Sequence, residues 1–426
     1  MATIRPMKAL RYDCGKAGKI ESLTCPPYDI ISEEQRQAYL RANPNNVIRL
    51  ELPKGERPYE EAKETLESWK REGILKRDDK DSYYIYEEEF TVKGKTYRLK
   101  GFIGQVKLEE FSKGVVLPHE ETLSKAKEDR FQLMKHTFCN FSQIYSLYMD
   151  EEHVTRPLID RLSSGRPEVE MEDEAGIVHR LWVVSDPEAV QEISRQFESR
   201  KLYIADGHHR YETALNFRNW CREQGLAKEG DPVDYVMMMM VDMAHEGLVV
   251  FPTHRMIRNL ENFNKEKVLS GCREYFEVIP RDDISKMEEE LQEYYTQGKK
   301  AFGFYCGDNN WTLLVLKDSQ AAVQLLPGKS PALQGLDVTV LHCLILERIL
   351  GIDAENMAKQ INLAYTRDFS EAISKVCDSQ AQCSFILNPT RVSEIRDVAA
   401  AGEKMPQKST YFYPKLITGL VMNELK

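Results

Sequence analysis

Leu202-Tyr203-Ile204-Ala205-Asp206-Gly207-His208-His209-Arg210-Tyr211-Glu212 joins an apolar run to a helical pattern through a single glycine. Residues 202–205 read as a buried strand, and Tyr211, Ala214, Leu215 and Phe217 begin an amphipathic helix. Strand, tight turn and helix in that order form the unit from which α/β folds are built. The start of a helix offers N–H groups that have no partner within the helix, together with the positive end of its dipole, and glycine lets the backbone come close to an anion. Arg210 adds a planar donor fork matched to phosphate oxygens, and the imidazoles of His208 and His209 can donate or shuttle protons. The stretch therefore suits a nucleotide phosphate. A plainer reading has Asp206 capping the helix, Arg210 pairing with Glu212 or solvent, and the histidines filling a surface turn. Metal ligation by both histidines is disfavoured, because adjacent residues on a turn point apart.

Outward from this turn, Asp186-Pro187-Glu188 is a helix start, with Val190, Ile193 and Phe197 as its buried stripe. Strands are expected at 143–148 and 179–184, flanking a polar connection that reads as an insertion. A hairpin is expected around Lys93-Gly94, and an amphipathic helix over 58–75. Residues 7–12 and 47–52 read as strands. Tyr235 to Val241, with four consecutive methionines, and Leu248 to Phe251 read as core strands joined by a tight turn. From residue 258 the pattern changes to helix, strand, helix and hairpin, followed by an apolar helix over 338–350, a strand over 383–387 and a helix over 390–401. The expected organisation is a catalytic region over 1–257 and a C-terminal α/β lobe over 258–426.

A second charged constellation lies upstream, at Pro118-His119-Glu120-Glu121-Thr122, followed by Lys125, Lys127 and Arg130. Taken alone it is a charged helix start whose side chains could all be solvated.

The chain has 426 residues and a formal net charge of -10, which gives no overall attraction to nucleic acid or an anionic membrane and favours a small-molecule substrate. Its nine cysteines are scattered singly, as expected of reduced thiols in the cytoplasm. No apolar run approaches the about 20 residues needed to span a bilayer, and the opening Met1-Ala2-Thr3-Ile4-Arg5-Pro6 lacks a signal-peptide core.

The segments Pro26-Pro27-Tyr28-Asp29, Pro118-His119-Glu120, Ala205 to Tyr211, Pro252-Thr253-His254-Arg255 and Met405 to Phe412 follow one another in an order that resembles the domain-of-unknown-function 1015 family. The 206–212 stretch also resembles the phosphate-binding turn of the ParB/sulfiredoxin-like superfamily, which includes free-serine kinases. Those resemblances imply an α/β (α+β) fold with a ParB/sulfiredoxin-like core and additional lobes. They imply a small-molecule kinase that phosphorylates free L-serine to O-phosphoserine with ATP or ADP and Mg²⁺. Asp206, Gly207, His208, His209 and Arg210 would bind the cofactor, with Asp206 reaching Mg²⁺ via phosphate. Glu120, His209 and Asp206 would be catalytic, Glu120 as the base matching the kinases' His-Glu-Thr element. His119, Thr122, Lys127, Arg130, His254, Arg255, Lys408 and Ser409 are the candidates for substrate contacts. The alternative is a ParB-like nucleotide-binding regulator without metabolite kinase activity. Sulfinic acid repair is a third chemistry for such a turn, but no cysteine stands in this loop.

Overall fold

The computed structural model describes residues 1–120, 124–307 and 309–426, and the fold is α/β. The chain divides into two compact units: residues 1–118, 122–249 and 414–426 form the first, and residues 119–121 and 250–413 the second.

Among the described residues, the first unit is built on a nine-stranded mixed sheet. Its order is Val116–Leu117, Leu202–Asp206, Ile144–Tyr148, Tyr235–Asp242, Lys95–Lys107, Tyr83–Val92, Val178–Val184 and Val169–Glu172, with Ile4–Arg5 added to Lys95–Lys107. Leu202–Asp206 runs parallel to Val116–Leu117 and antiparallel to Ile144–Tyr148. The four methionines 237–240 are buried in the central strand Tyr235–Asp242, as its near-continuous apolar sequence requires of a strand covered on both faces. The helix His208–Glu223 lays Tyr211, Ala214, Leu215 and Phe217 into the same core as Ile144, Leu202, Ile204 and Met238. Each such large side chain contributes about 1.5–3 kcal/mol by leaving water, so the element that carries the turn is firmly seated.

The second unit holds a six-stranded antiparallel sheet in the order Phe276–Arg281, Trp311–Leu316, Ala301–Tyr305, Cys383–Ile386, His254–Ile257 and Leu363–Thr366. Residues 337–340 are α-helical and continue as a run of π turns, Leu341–Ile349, whose apolar residues fill the core beside Phe302, Phe304 and Phe385.

Several local expectations are corrected. Residues 47–52 alternate like a strand but contain the helix Ile48–Glu51, because the buried Asn46 side chain accepts from the Ile48 N–H at 2.9 Å and starts a turn there. Of residues 7–12 only Leu10–Tyr12 are a strand, with Met7 in an isolated bridge. The polar connection after Tyr148, read as an insertion, holds the helix Thr155–Leu162 and the edge strand Val169–Glu172. Val249–Phe251 does not pair with Tyr235–Asp242, whose neighbours are Ile144–Tyr148 and Lys95–Lys107. No helix among the described residues is long and apolar enough to cross a membrane.

Candidate functional site

Strand Leu202–Asp206 ends at Asp206, and the helix begins two residues later. Gly207 turns the chain with φ 96° and ψ 27°, a left-handed conformation that glycine adopts without a steric penalty. A Cβ at this position would stand 2.9 Å from Nε and Nη2 of Arg210, so the backbone favours glycine and a larger residue would displace the guanidinium. No side chain caps the helix. The preceding helix Pro187–Gln196 differs, since Asp186 there accepts from the Ala189 N–H at 3.0 Å. Asp206 therefore does not serve as the cap.

Its carboxylate instead accepts from Arg210 Nη2 at 2.8 Å and from the Lys415 amine. Burial alone would push the Asp206 carboxyl up, but Lys415 and Arg210 override it and hold it well below the usual carboxylate range. Arg210 does not pair with Glu212, which is taken by Lys127 at 2.7 Å. The Arg210 guanidinium also donates through Nη1 to the Gln143 carbonyl at 2.6 Å and to Ser142 Oγ at 3.2 Å. Two cations meet one carboxylate at the turn, next to a helix N-terminus that itself favours anions.

Behind the turn lies a second layer. Ser142 Oγ donates to Glu51 at 2.8 Å, and Arg130 Nη1 donates to the Glu51 carbonyl at 2.6 Å while its Nη2 meets Asp129 at 2.6 Å. The Arg130 guanidinium lies 4.1 Å from the centre of the Tyr28 ring. Burial pushes the Tyr28 hydroxyl up to about 12 and raises the Glu51 carboxyl, with Arg130 pulling the other way in both. Tyr28 of the Pro-Pro-Tyr-Asp segment and Arg130 are thus brought to the turn's supporting layer. His208 is buried at 5% exposure and His209 is half-buried.

His119, Glu120, His254, Arg255, Lys408 and Ser409 belong to the second unit. His119 Nε2 is 3.0 Å from Thr410 Oγ1, its carbonyl accepts from the Met405 N–H at 2.7 Å, and Glu120 accepts from the Lys408 N–H at 2.6 Å. The His119-Glu120 and Met405 to Thr410 segments, far apart in sequence, are therefore laced together. Arg255, almost fully buried, donates to the carbonyls of Thr253 and of Lys408, the latter at 3.2 Å, and to His342 at 3.3 Å. Burial brings the Arg255 guanidinium down to about 10 against the pull of Tyr365 and Glu120. Its Nε has no hydrogen-bond partner among the described residues. The His254 ring accepts from the Leu387 N–H at 3.3 Å, and Ser409 Oγ donates to the Pro406 carbonyl. Thr122 and the Lys125 side chain lie outside what is described.

Lys415, Ser142 and Glu51 were not singled out by sequence. Lys415 is 209 residues from its partner, and its only sequence signal is that it ends the polar segment starting at Met405.

A family model described as protein of unknown function (DUF1015) matches residues 4–339. No curated protein matches the sequence. Among solved structures, the chain is similar to a free serine kinase in complex with AMP, with 13% identity and a TM-score of 0.39 over 76% of this chain and 90% of that one. It is similar to a conserved hypothetical protein from Pyrococcus furiosus, with 15% identity and a TM-score of 0.35 over 72% and 89% of the two chains. It is also similar to SbnI with a C-terminal truncation from Staphylococcus aureus, with 13% identity and a TM-score of 0.38 over 75% and 86%.

Proposed function

This chain belongs to the DUF1015 family of proteins of unknown function, and we propose that within it the chain is a small-molecule phosphotransferase that uses ATP or ADP to phosphorylate the hydroxyl of free L-serine. The observation that carries the reading is the turn itself: an uncapped helix start behind a left-handed glycine, flanked by Arg210 and Lys415. These donor types fit a polyphosphate, whose charge is met by a helix N-terminus, a planar guanidinium and an amine. The choice of serine rests on the motif resemblance.

The nucleotide supplies the phosphoryl group. Gly207, His209 and Arg210 hold its phosphates, and Lys415 adds a charge to the same cluster. Asp206 is the carboxylate that would reach Mg²⁺, an ion that commonly takes one or two protein carboxylates and completes its shell with phosphate oxygens and water. Glu120 takes the proton from the serine hydroxyl as that oxygen bonds to the terminal phosphorus and the bond to the nucleotide breaks. A positioned base of this kind is worth on the order of 10²- to 10⁴-fold. His119, Thr122, Lys127, Arg130, His254, Arg255, Lys408 and Ser409 are retained as contacts to substrate or as supports for those contacts.

The test incubates the purified chain and Mg²⁺ with ATP or ADP and a panel of free amino acids, with phosphorylated products resolved by mass. O-phosphoserine from the wild type and its loss in Glu120→Gln is the expected outcome. Nucleotide binding without any phosphorylated amino acid would favour the regulator reading instead.

A further inference from the structure

The second unit contains a cavity of about 300 Å³ that none of the residues proposed for phosphoryl transfer lines. That volume is at the small end of the range for metabolite pockets, about 300–1,000 Å³. Leu326, Leu333, Met357 and Met405 give it apolar walls, while Thr339, His342, Glu347 and Lys404 bring polar groups to it.

Three of those polar groups have no hydrogen-bond or ion-pair partner among the described residues. The Thr339 hydroxyl is buried and has no hydrogen-bond partner among the described residues, an arrangement that native cores avoid unless something else satisfies the group. Glu347 stands on the π-helical run, and among the described residues no cation pairs with it: burial raises its carboxyl and Asp353 raises it further. Lys404 is exposed and likewise makes no ion pair among the described residues. The fourth group, His342, has a defined tautomer. A guanidinium can only donate, so the Arg255 contact at 3.3 Å places the lone pair on Nε2 and the proton on Nδ1. Burial and the neighbouring Arg255 hold this ring neutral. Runs of π turns are rare and recur at functional sites, and this one carries His342, Cys343 and Glu347 to the same cavity.

One unpaired carboxylate, one unpaired amine, an unsatisfied hydroxyl and apolar walls around a small volume together describe the complement of a zwitterion with a hydrophobic tail. We propose that this cavity binds a free amino acid with an apolar side chain. Glu347 receives its ammonium group, Lys404 and the Thr339 hydroxyl its carboxylate, and Leu326, Leu333 and Met357 its side chain. The site shares no residue with the phosphate turn and does not depend on the phosphotransferase reading.

The test is calorimetric titration of the full chain with L-leucine and L-methionine, beside isocaproate and isoamylamine, which keep the tail and one charge each. The proposal expects saturable binding of at least one of the two amino acids and binding of both single-charge analogues about tenfold weaker or worse. Glu347→Gln, on the exposed rim, and Thr339→Val, which keeps the shape, should each weaken the amino acid about tenfold while the affinity for ADP stays as in the wild type. Absence of amino-acid binding at millimolar concentration would overturn the proposal. So would isocaproate or isoamylamine binding as well as the amino acid, or an unchanged affinity in Glu347→Gln.

Discussion

Asp206 accepts from Arg210 at 2.8 Å and from the Lys415 amine, and that double pairing fixes what each of the three side chains can do. With Lys415→Met, the carboxylate keeps one cation in a largely buried setting, and a loss on the order of 2 kcal/mol of stability at neutral pH is expected from the missing charge-assisted bond. The pH dependence has a definite sign. The folded-state value is depressed, so the pair's contribution is complete above the ordinary carboxylate value of about 3.9 and disappears as pH falls below it towards the lowered value. Chemical denaturation of the wild type should show a steep loss of stability below about pH 4, and Lys415→Met should start lower at neutral pH and lose less on acidification. At the neighbouring position, Gly207→Ala puts a Cβ into the Arg210 guanidinium at a φ of 96°. The strain is on the order of 1–2 kcal/mol, and nucleotide affinity should fall about tenfold or more because the guanidinium must move. A variant with full affinity would show that the turn does not need this geometry.

At the scale of elements, the long strand Tyr83–Val92 carries a buried carboxyl, Glu88, with one oxygen unpaired among the described residues. Burial pushes it up to about 7, although the His179 ring and the Tyr86 hydroxyl pull it down. A carboxyl whose folded value is raised costs stability as pH rises: the unfolded chain ionises from about pH 4.3 while the fold still holds the proton, and the penalty is complete above about pH 7. Glu88→Gln should remove most of this slope, on the order of 3 kcal/mol between pH 5 and pH 8, measured as the shift of the urea midpoint across that range. An equal slope in both proteins would place the titrating group elsewhere.

The same strand shows what the sequence could and could not tell. Its hairpin with Lys95–Lys107 and the Leu202–Asp206 turn were readable because apolar periodicity and a glycine at the bend are local signals. The helix Ile48–Glu51 was not, because the Asn46 side chain, accepting from the Ile48 N–H, turns the chain against an alternating pattern. The π turns at Leu341–Ile349 are invisible to a pattern that registers only buried apolar residues. Of the candidate site, the turn's residues were legible, but the Lys415 pairing and the Glu51–Ser142 layer behind Arg210 are long-range contacts that no local spacing encodes.

At the scale of the whole molecule, the final thirteen residues, 414–426, belong to the first unit although residues 250–413 precede them. They place Leu420, Val421 and Met422 in the interior and pair Asn423–Glu424 with Cys139–Asn140. Ending the chain before Pro414 therefore removes core side chains, a strand partner and Lys415 at once. The expected result is rapid hydrogen exchange and proteolysis throughout residues 124–249, with the sheet of the second unit still protected. Uniform protection of the first unit in the truncated chain would show that the C-terminal segment is dispensable to it.

The claim that the Asp206 to Arg210 turn holds a nucleotide's phosphates is open to direct measurement by isothermal titration of ADP with Mg²⁺ into the wild type and Arg210→Gln. The geometry predicts saturable binding in the wild type that weakens about tenfold or more in the variant. No binding in the wild type, or the same affinity in both proteins, would contradict it.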